Sequence, residues 1–152
     1  MITEQNEKFM RLAIEEAKKS SEPLKCGVVI VKDGKVIAKT YNSQRLSKDS
    51  SAHAEIKAVG IAGHVVGNKN LKGCDIYCTC EPCLMCVSAI TFAKIEKLFY
   101  GVSLPDVSPV DKRIDISIDD FLEKSPHKFK VIKHFLEKEC KVLILPPKIY
   151  IR

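Results

Sequence analysis

The chain has 152 residues, 45% of them apolar and 29% charged, and a formal net charge of +6. That size and balance fit a single domain spanning residues 1–152 and exclude a largely disordered chain. No run of about 18 apolar residues occurs, so no segment is expected to span a membrane.

Residues 1–8 lack a basic stretch followed by an apolar one, which makes a cytoplasmic address the expectation. Residues 3–20 set Phe9, Met10, Leu12, Ala13, Ile14 and Ala17 against charged residues. This predicts an amphipathic helix, capped near Thr3 and stopped by Ser20-Ser21-Glu22-Pro23. The β-branched runs 27–31 and 36–41 flank Asp33-Gly34 and predict a hairpin. Residues 42–51 are polar and aperiodic, a loop leading towards His53. A helix is expected over 52–62, capped by Ser50 or Ser51, followed by a connector to Gly73. A strand over 74–79, a buried helix over 83–93 and a strand over 95–100 come next. Between 102 and 126 the pattern weakens to one short helix near 119–124. A strand over 129–133 and a helix over 136–145, ended by Pro146-Pro147, complete the chain. This order argues for a sheet between two layers of helices.

Two short stretches carry the chemistry. Ser51-Ala52-His53-Ala54-Glu55-Ile56 is followed, some thirty residues on, by Thr79-Cys80-Glu81-Pro82-Cys83-Leu84-Met85-Cys86. Four of the seven cysteines crowd into residues 78–86, which reads as metal binding in a chain without a secretion leader. A structural zinc site closes all four positions with protein atoms, whereas a catalytic one leaves the fourth to water. His53, Cys83 and Cys86 supply three ligands for Zn²⁺, and Glu55 stays uncommitted as a proton carrier. Residues two apart on a helix point about 200° apart, so His53 and Glu55 require a wide cleft or a distorted first turn. The competing arrangement is a closed site made of Cys78, Cys80, Cys83 and Cys86, disfavoured by the Cys78-x-Cys80 spacing. A non-catalytic zinc-binding module is the reading from another class, and it has no need of Glu55. Cys26, Cys74 and Cys140 read as small core side chains. The positive charge suits a polyanion, but the lysines are scattered and favour a solvated basic surface.

Together these residues resemble the cytidine and deoxycytidylate deaminase superfamily. The resembling branch holds tRNA adenosine deaminases, guanine deaminases and fungal-type cytosine deaminases. The matching residues are Gly27 to Gly34, Asn42, Ala52 to Ile56, Glu81 to Cys86 and Phe99-Tyr100-Gly101, with a tRNA-enzyme-like ending over 127–140. The resemblance implies a three-layer α/β/α sandwich with a central five-stranded mixed sheet, and a homodimer. It also implies His53, Cys83 and Cys86 as zinc ligands, Glu55 as the proton shuttle and Asn42 as a substrate contact. After the fourth strand the tRNA enzymes carry a Lys-Thr-Gly-Ala-Ala-Gly-like stretch, where this chain has Ser103-Leu104-Pro105-Asp106-Val107-Ser108. That departure favours a free nucleobase or nucleoside, guanine or cytosine first, as substrate and partner. It sets tRNA and its adenosine behind as the alternative. Guanine deaminases of the branch use an acidic residue in this region, and Asp115, or else Asp111 or Asp106, would stand there.

Overall fold

The structure is a computed structural model that describes residues 1–108 and 112–144, the side chains of 143 and 144 apart. Helix α1 (Glu4–Ala17) begins at Thr3, whose hydroxyl accepts from Asn6 N while the Asn6 side chain accepts from Thr3 N. This reciprocal cap satisfies two backbone donors that the first turn leaves unpaired. The predicted hairpin forms as β1 (Gly27–Lys32) and β2 (Lys35–Tyr41). Asp33 and Gly34 both take positive φ, 50° and 74°, as a two-residue turn between twisted strands demands.

Strands β3 (Cys74–Cys80), β4 (Lys97–Val102) and β5 (Lys130–Ile132) complete a five-stranded sheet of order β2-β1-β3-β4-β5. β1 runs antiparallel to both β2 and β3, while β3, β4 and β5 are parallel, so the sheet is mixed. One face packs against α3 (Ala54–Val66) and α4 (Leu84–Phe92), where Ala54, Ala58, Val87 and Ile90 meet Val28, Ile30 and Ile76. The other face takes α1 and α7 (Glu137–Ile144), with Phe9, Met10 and Cys140 against Val29, Tyr77 and Phe99. The result is the three-layer α/β/α sandwich.

Contact between α1 and β1 is close. A Cβ on Gly27 would lie 1.9 Å from the Ala13 carbonyl oxygen and 2.5 Å from Ala17 N. Neither backbone can yield without lifting the helix. Gly27→Ala is therefore expected to lower stability by about 3 kcal/mol, the upper range of overpacking changes, as read by urea denaturation.

Several local expectations differ from the structure. Residues 42–51 contain a short helix, α2 (Gln44–Ser47). Arg45 N in it donates to Glu22 Oε1 at 2.6 Å, a partner 23 residues away that local pattern does not reveal. α3 starts two residues later than expected and continues to Val66, ending at left-handed Gly67. A further short helix, α5 (Leu104–Val107), precedes α6 (Ile118–Lys124), which Ser117 caps. Pro146-Pro147, the expected stop of α7, and Asp111 lie outside the described residues. Among the described residues, no helix is long and apolar enough to cross a membrane.

Candidate active site

The site forms beyond the carboxyl end of β3, where α3 and α4 both begin. His53 is the N-cap of α3 and Cys83 the N-cap of α4, each with extended backbone (φ −71°, ψ 150° and φ −70°, ψ 171°). This resolves the angular conflict between His53 and Glu55. Because His53 precedes the first helical residue, its ring is not bound by helical spacing, and Glu55 reaches the same cleft from inside the first turn. Thr40 Oγ1 donates to Ala54 O at 2.6 Å and fixes the start of α3 against β2. Cys86 lies in the first turn of α4, so both sulfurs sit at the positive end of that helix.

His53 Nδ1 is 3.6 Å from Cys83 Sγ and 3.6 Å from Cys86 Sγ, and the two sulfurs are 3.7 Å apart. Tetrahedral coordination with ordinary Zn–S and Zn–N lengths separates two sulfurs by about 3.8 Å, and sulfur from nitrogen by about 3.6 Å. The donor set and its spacing both fit zinc. These are the only three His, Cys, Asp or Glu residues among those described that gather in this way. The all-cysteine arrangement is thus set aside, since Cys78 is buried in the core and the Cys80 thiol meets Cys26.

Electrostatics of the group follow from one shared proton. The hydrogen bond between the Cys83 and Cys86 sulfurs, with His53, draws the Cys83 thiol down to about 4 despite partial burial. Cys86 is pushed up by the same bond and by its burial. His53 is raised, chiefly by its hydrogen bond to Cys83. Glu55, only 5% exposed, has Oε2 3.4 Å from Cys86 Sγ, and burial raises its carboxyl above the usual range. A carboxyl raised in this way takes up a proton more readily than an ordinary one, which suits a group that carries protons.

A cavity of about 300 Å³ opens onto this group, lined by Asn42, His53, Glu55 and Cys83 together with residues the sequence did not single out. Glu22, Leu24 and Leu104 are in the second set. Glu22 is a buried carboxylate that holds α2, and the signal for it was a Glu-Pro pair read only as a helix stop. Glu81 Oε2 accepts from Leu104 N at 2.7 Å and from Ser103 Oγ at 3.1 Å, which pins α5 over the cavity.

Asn42 does line the cavity, yet its side chain is engaged with the chain itself. Its Oδ1 accepts from Cys26 N at 3.0 Å and its Nδ2 donates to Leu24 O at 2.7 Å. It therefore shapes the 24–26 wall. Asn42→Ala leaves both backbone groups unpaired and should lower stability by about 1–3 kcal/mol. With zinc content unchanged and KM raised, titration and steady-state assays would separate this from a metal defect. Asp115 is not brought to the site. It pairs with Arg113 at 3.1 Å, its side chain is 64% exposed, and it borders a separate depression beside Ile116 and Phe121.

Fold and donor set together define a zinc-dependent hydrolytic enzyme. The chain belongs to the cytidine and deoxycytidylate deaminase family, whose zinc-binding region it matches over residues 3–102. A tRNA-specific adenosine deaminase of Agrobacterium fabrum (strain C58) is 42% identical over 108 residues, 70% of this chain and 71% of that protein. A solved structure from work on A-to-I editing by tRNA:A34 deaminases at the wobble position is 35% identical, with a TM-score of 0.78. It matches over 90% of this chain and 99% of its own. The guanine deaminase of Bacillus subtilis is 29% identical, with a TM-score of 0.63 over 80% of this chain and 90% of its own.

These relatives overturn the expectation of a free nucleobase or nucleoside, guanine or cytosine first, with tRNA set behind. That expectation leaned on residues 103–108. Their sequence departs from the tRNA-enzyme pattern, but they fold into α5, which Glu81 ties in place so that Leu104 still walls the cavity.

Proposed function

We propose that the chain hydrolytically deaminates adenosine to inosine in tRNA, releasing ammonia. The observation that carries this is the 35% identity to a tRNA:A34 deaminase across 99% of that chain's length. The net charge of +6 supports an RNA substrate, as do the exposed Arg45 and Lys48, close in sequence to the cavity residue Gln44.

In this reading His53, Cys83 and Cys86 hold the metal. Bound zinc supplies the Lewis acidity that brings the pKa of water towards about 7. Glu55 takes the proton from the water that attacks C6 of the flipped-out adenine and returns it to a ring nitrogen. It then carries the proton of the new C6 hydroxyl to the amine, so that the C6–N bond breaks, ammonia leaves and the carbonyl forms. Leu24 and Leu104 flank the base and exclude bulk water, while Asn42 keeps the 24–26 wall in place. The reading extends to a homodimer, checked by light scattering, and to a cytoplasmic location, checked by fractionation.

The test is an assay of the zinc-loaded protein on a tRNA anticodon stem-loop with adenosine at the wobble position, beside free adenosine, guanine and cytosine. Inosine in the stem-loop, with turnover there far above that of any free compound, is the expected result. Ammonia from a free compound with none from the stem-loop would overturn the reading.

A further inference from the structure

Two thiols stand together in the cavity wall, outside the metal group. The Cys26 thiol donates to Cys80 Sγ at 3.1 Å, and both residues line the cavity that also holds Glu55. Neither belongs to the His53, Cys83, Cys86 group, and both are free. Val28 lies opposite Cys78 in the antiparallel pairing of β1 with β3, so two steps further Cys26 faces Cys80. Directly opposed residues have Cβ atoms about 4.5–5.5 Å apart, close to the roughly 3.5–4.5 Å of a disulfide. The sulfurs need to approach by only about 1 Å to reach bonding distance.

The backbones on either side are held. Asn42 grips Leu24 and Cys26, and Gly27 N donates to Thr79 Oγ1 at 2.9 Å. Cys26 is the half-buried member and Cys80 is 3% exposed, so an oxidant entering the cavity meets Cys26 first.

We propose that Cys26 and Cys80 are a redox modification site, converted by a hydroperoxide into a disulfide that attenuates deamination in the adjoining cavity. The effect on deamination rests on the function proposed above. Cys26 sulfur attacks the O–O bond of hydrogen peroxide, giving a sulfenic acid and one water after the thiol proton transfers. Cys80 sulfur then attacks the sulfenic sulfur, and hydroxide departs with the Cys80 proton as a second water. Two thiols are oxidised by two electrons, and one peroxide is reduced. The bond locks the 24–26 wall to the end of β3, three residues before Cys83. Misplacement of a base by about 1 Å can reduce turnover by up to about 10²-fold. The hydrogen bond to Cys80 and burial push the Cys26 thiol up, so oxidation is slow beside that of a low-pKa thiol.

The test treats zinc-loaded protein with hydrogen peroxide, alkylates the remaining thiols and maps peptides by mass. Zinc content and stem-loop deamination are followed in parallel. The expected result is a peptide linking Cys26 to Cys80, zinc retained, and activity lowered about tenfold and restored by dithiothreitol. Cys80→Ala, compared with its own untreated activity, should lose the response. Absence of the linked peptide would overturn the site, and an equal loss of activity in Cys80→Ala, with or without zinc release, would overturn the disulfide as its cause. A linked peptide without change in activity would overturn its effect on turnover. Should the untreated protein fail on the stem-loop, the proposed function falls, and the peptide map alone still decides the pairing.

Discussion

Glu55→Gln is expected to lower kcat/KM on the tRNA stem-loop by about 10³-fold, in the range of a lost general acid and base, while zinc content is unchanged. The two side chains match in size, so packing around a position only 5% exposed is preserved. What would be lost, on the proposed mechanism, is the capacity to carry a proton between water, ring nitrogen and leaving amine. Burial holds the native carboxyl above its ordinary range, which suits a group that must accept and release a proton in one cycle. Metal analysis beside single-turnover kinetics checks both halves. Retained activity in Glu55→Gln would remove the carboxylate from the mechanism, and zinc loss would instead make it part of the metal's surroundings.

The second large effect is expected from His53→Ala. Taking away the nitrogen leaves two sulfurs 3.7 Å apart, which cannot fix a tetrahedral ion alone. Zinc affinity should fall by more than about 100-fold, beyond the losses typical of groups that merely orient a ligand. Competition with a chromophoric chelator measures this directly. Zinc bound as tightly as before would return attention to an all-cysteine site.

The hairpin, the sheet and the main helices could be read from β-branched runs, turn residues and apolar periodicity, because those signals are local. α2 could not, since its partner Glu22 is distant in sequence. Residues 102–126 were poorly legible for the same reason: α5 is four residues long and depends on the Glu81 carboxylate. The residues proposed for the site were legible as chemistry before they were legible as geometry. His53, Glu55, Cys83 and Cys86 stood out by type and spacing, yet the conflict between His53 and Glu55 dissolves only once His53 is seen as a cap. Asp115 was placed by analogy with an acidic residue in a weakly patterned region, and that analogy had no contact to support it. The preference against tRNA came from the scattered lysines and from residues 103–108, which form α5 and are held by Glu81 through Leu104 N.

Both helices that meet at the site begin with one of the proposed metal donors, and those two donors are separated by thirty residues of chain. An ion joining them would close a loop through α3 and β3, restricting the unfolded ensemble as a cross-link of that length does. The free coil offers the donors no fixed spacing, so the pocket for the ion is expected only after β3 has joined β1 and both helices have docked. Metal capture would then be a late event in folding, and slow-docking variants of α3 or α4 should accumulate as metal-poor chains before they lose secondary structure.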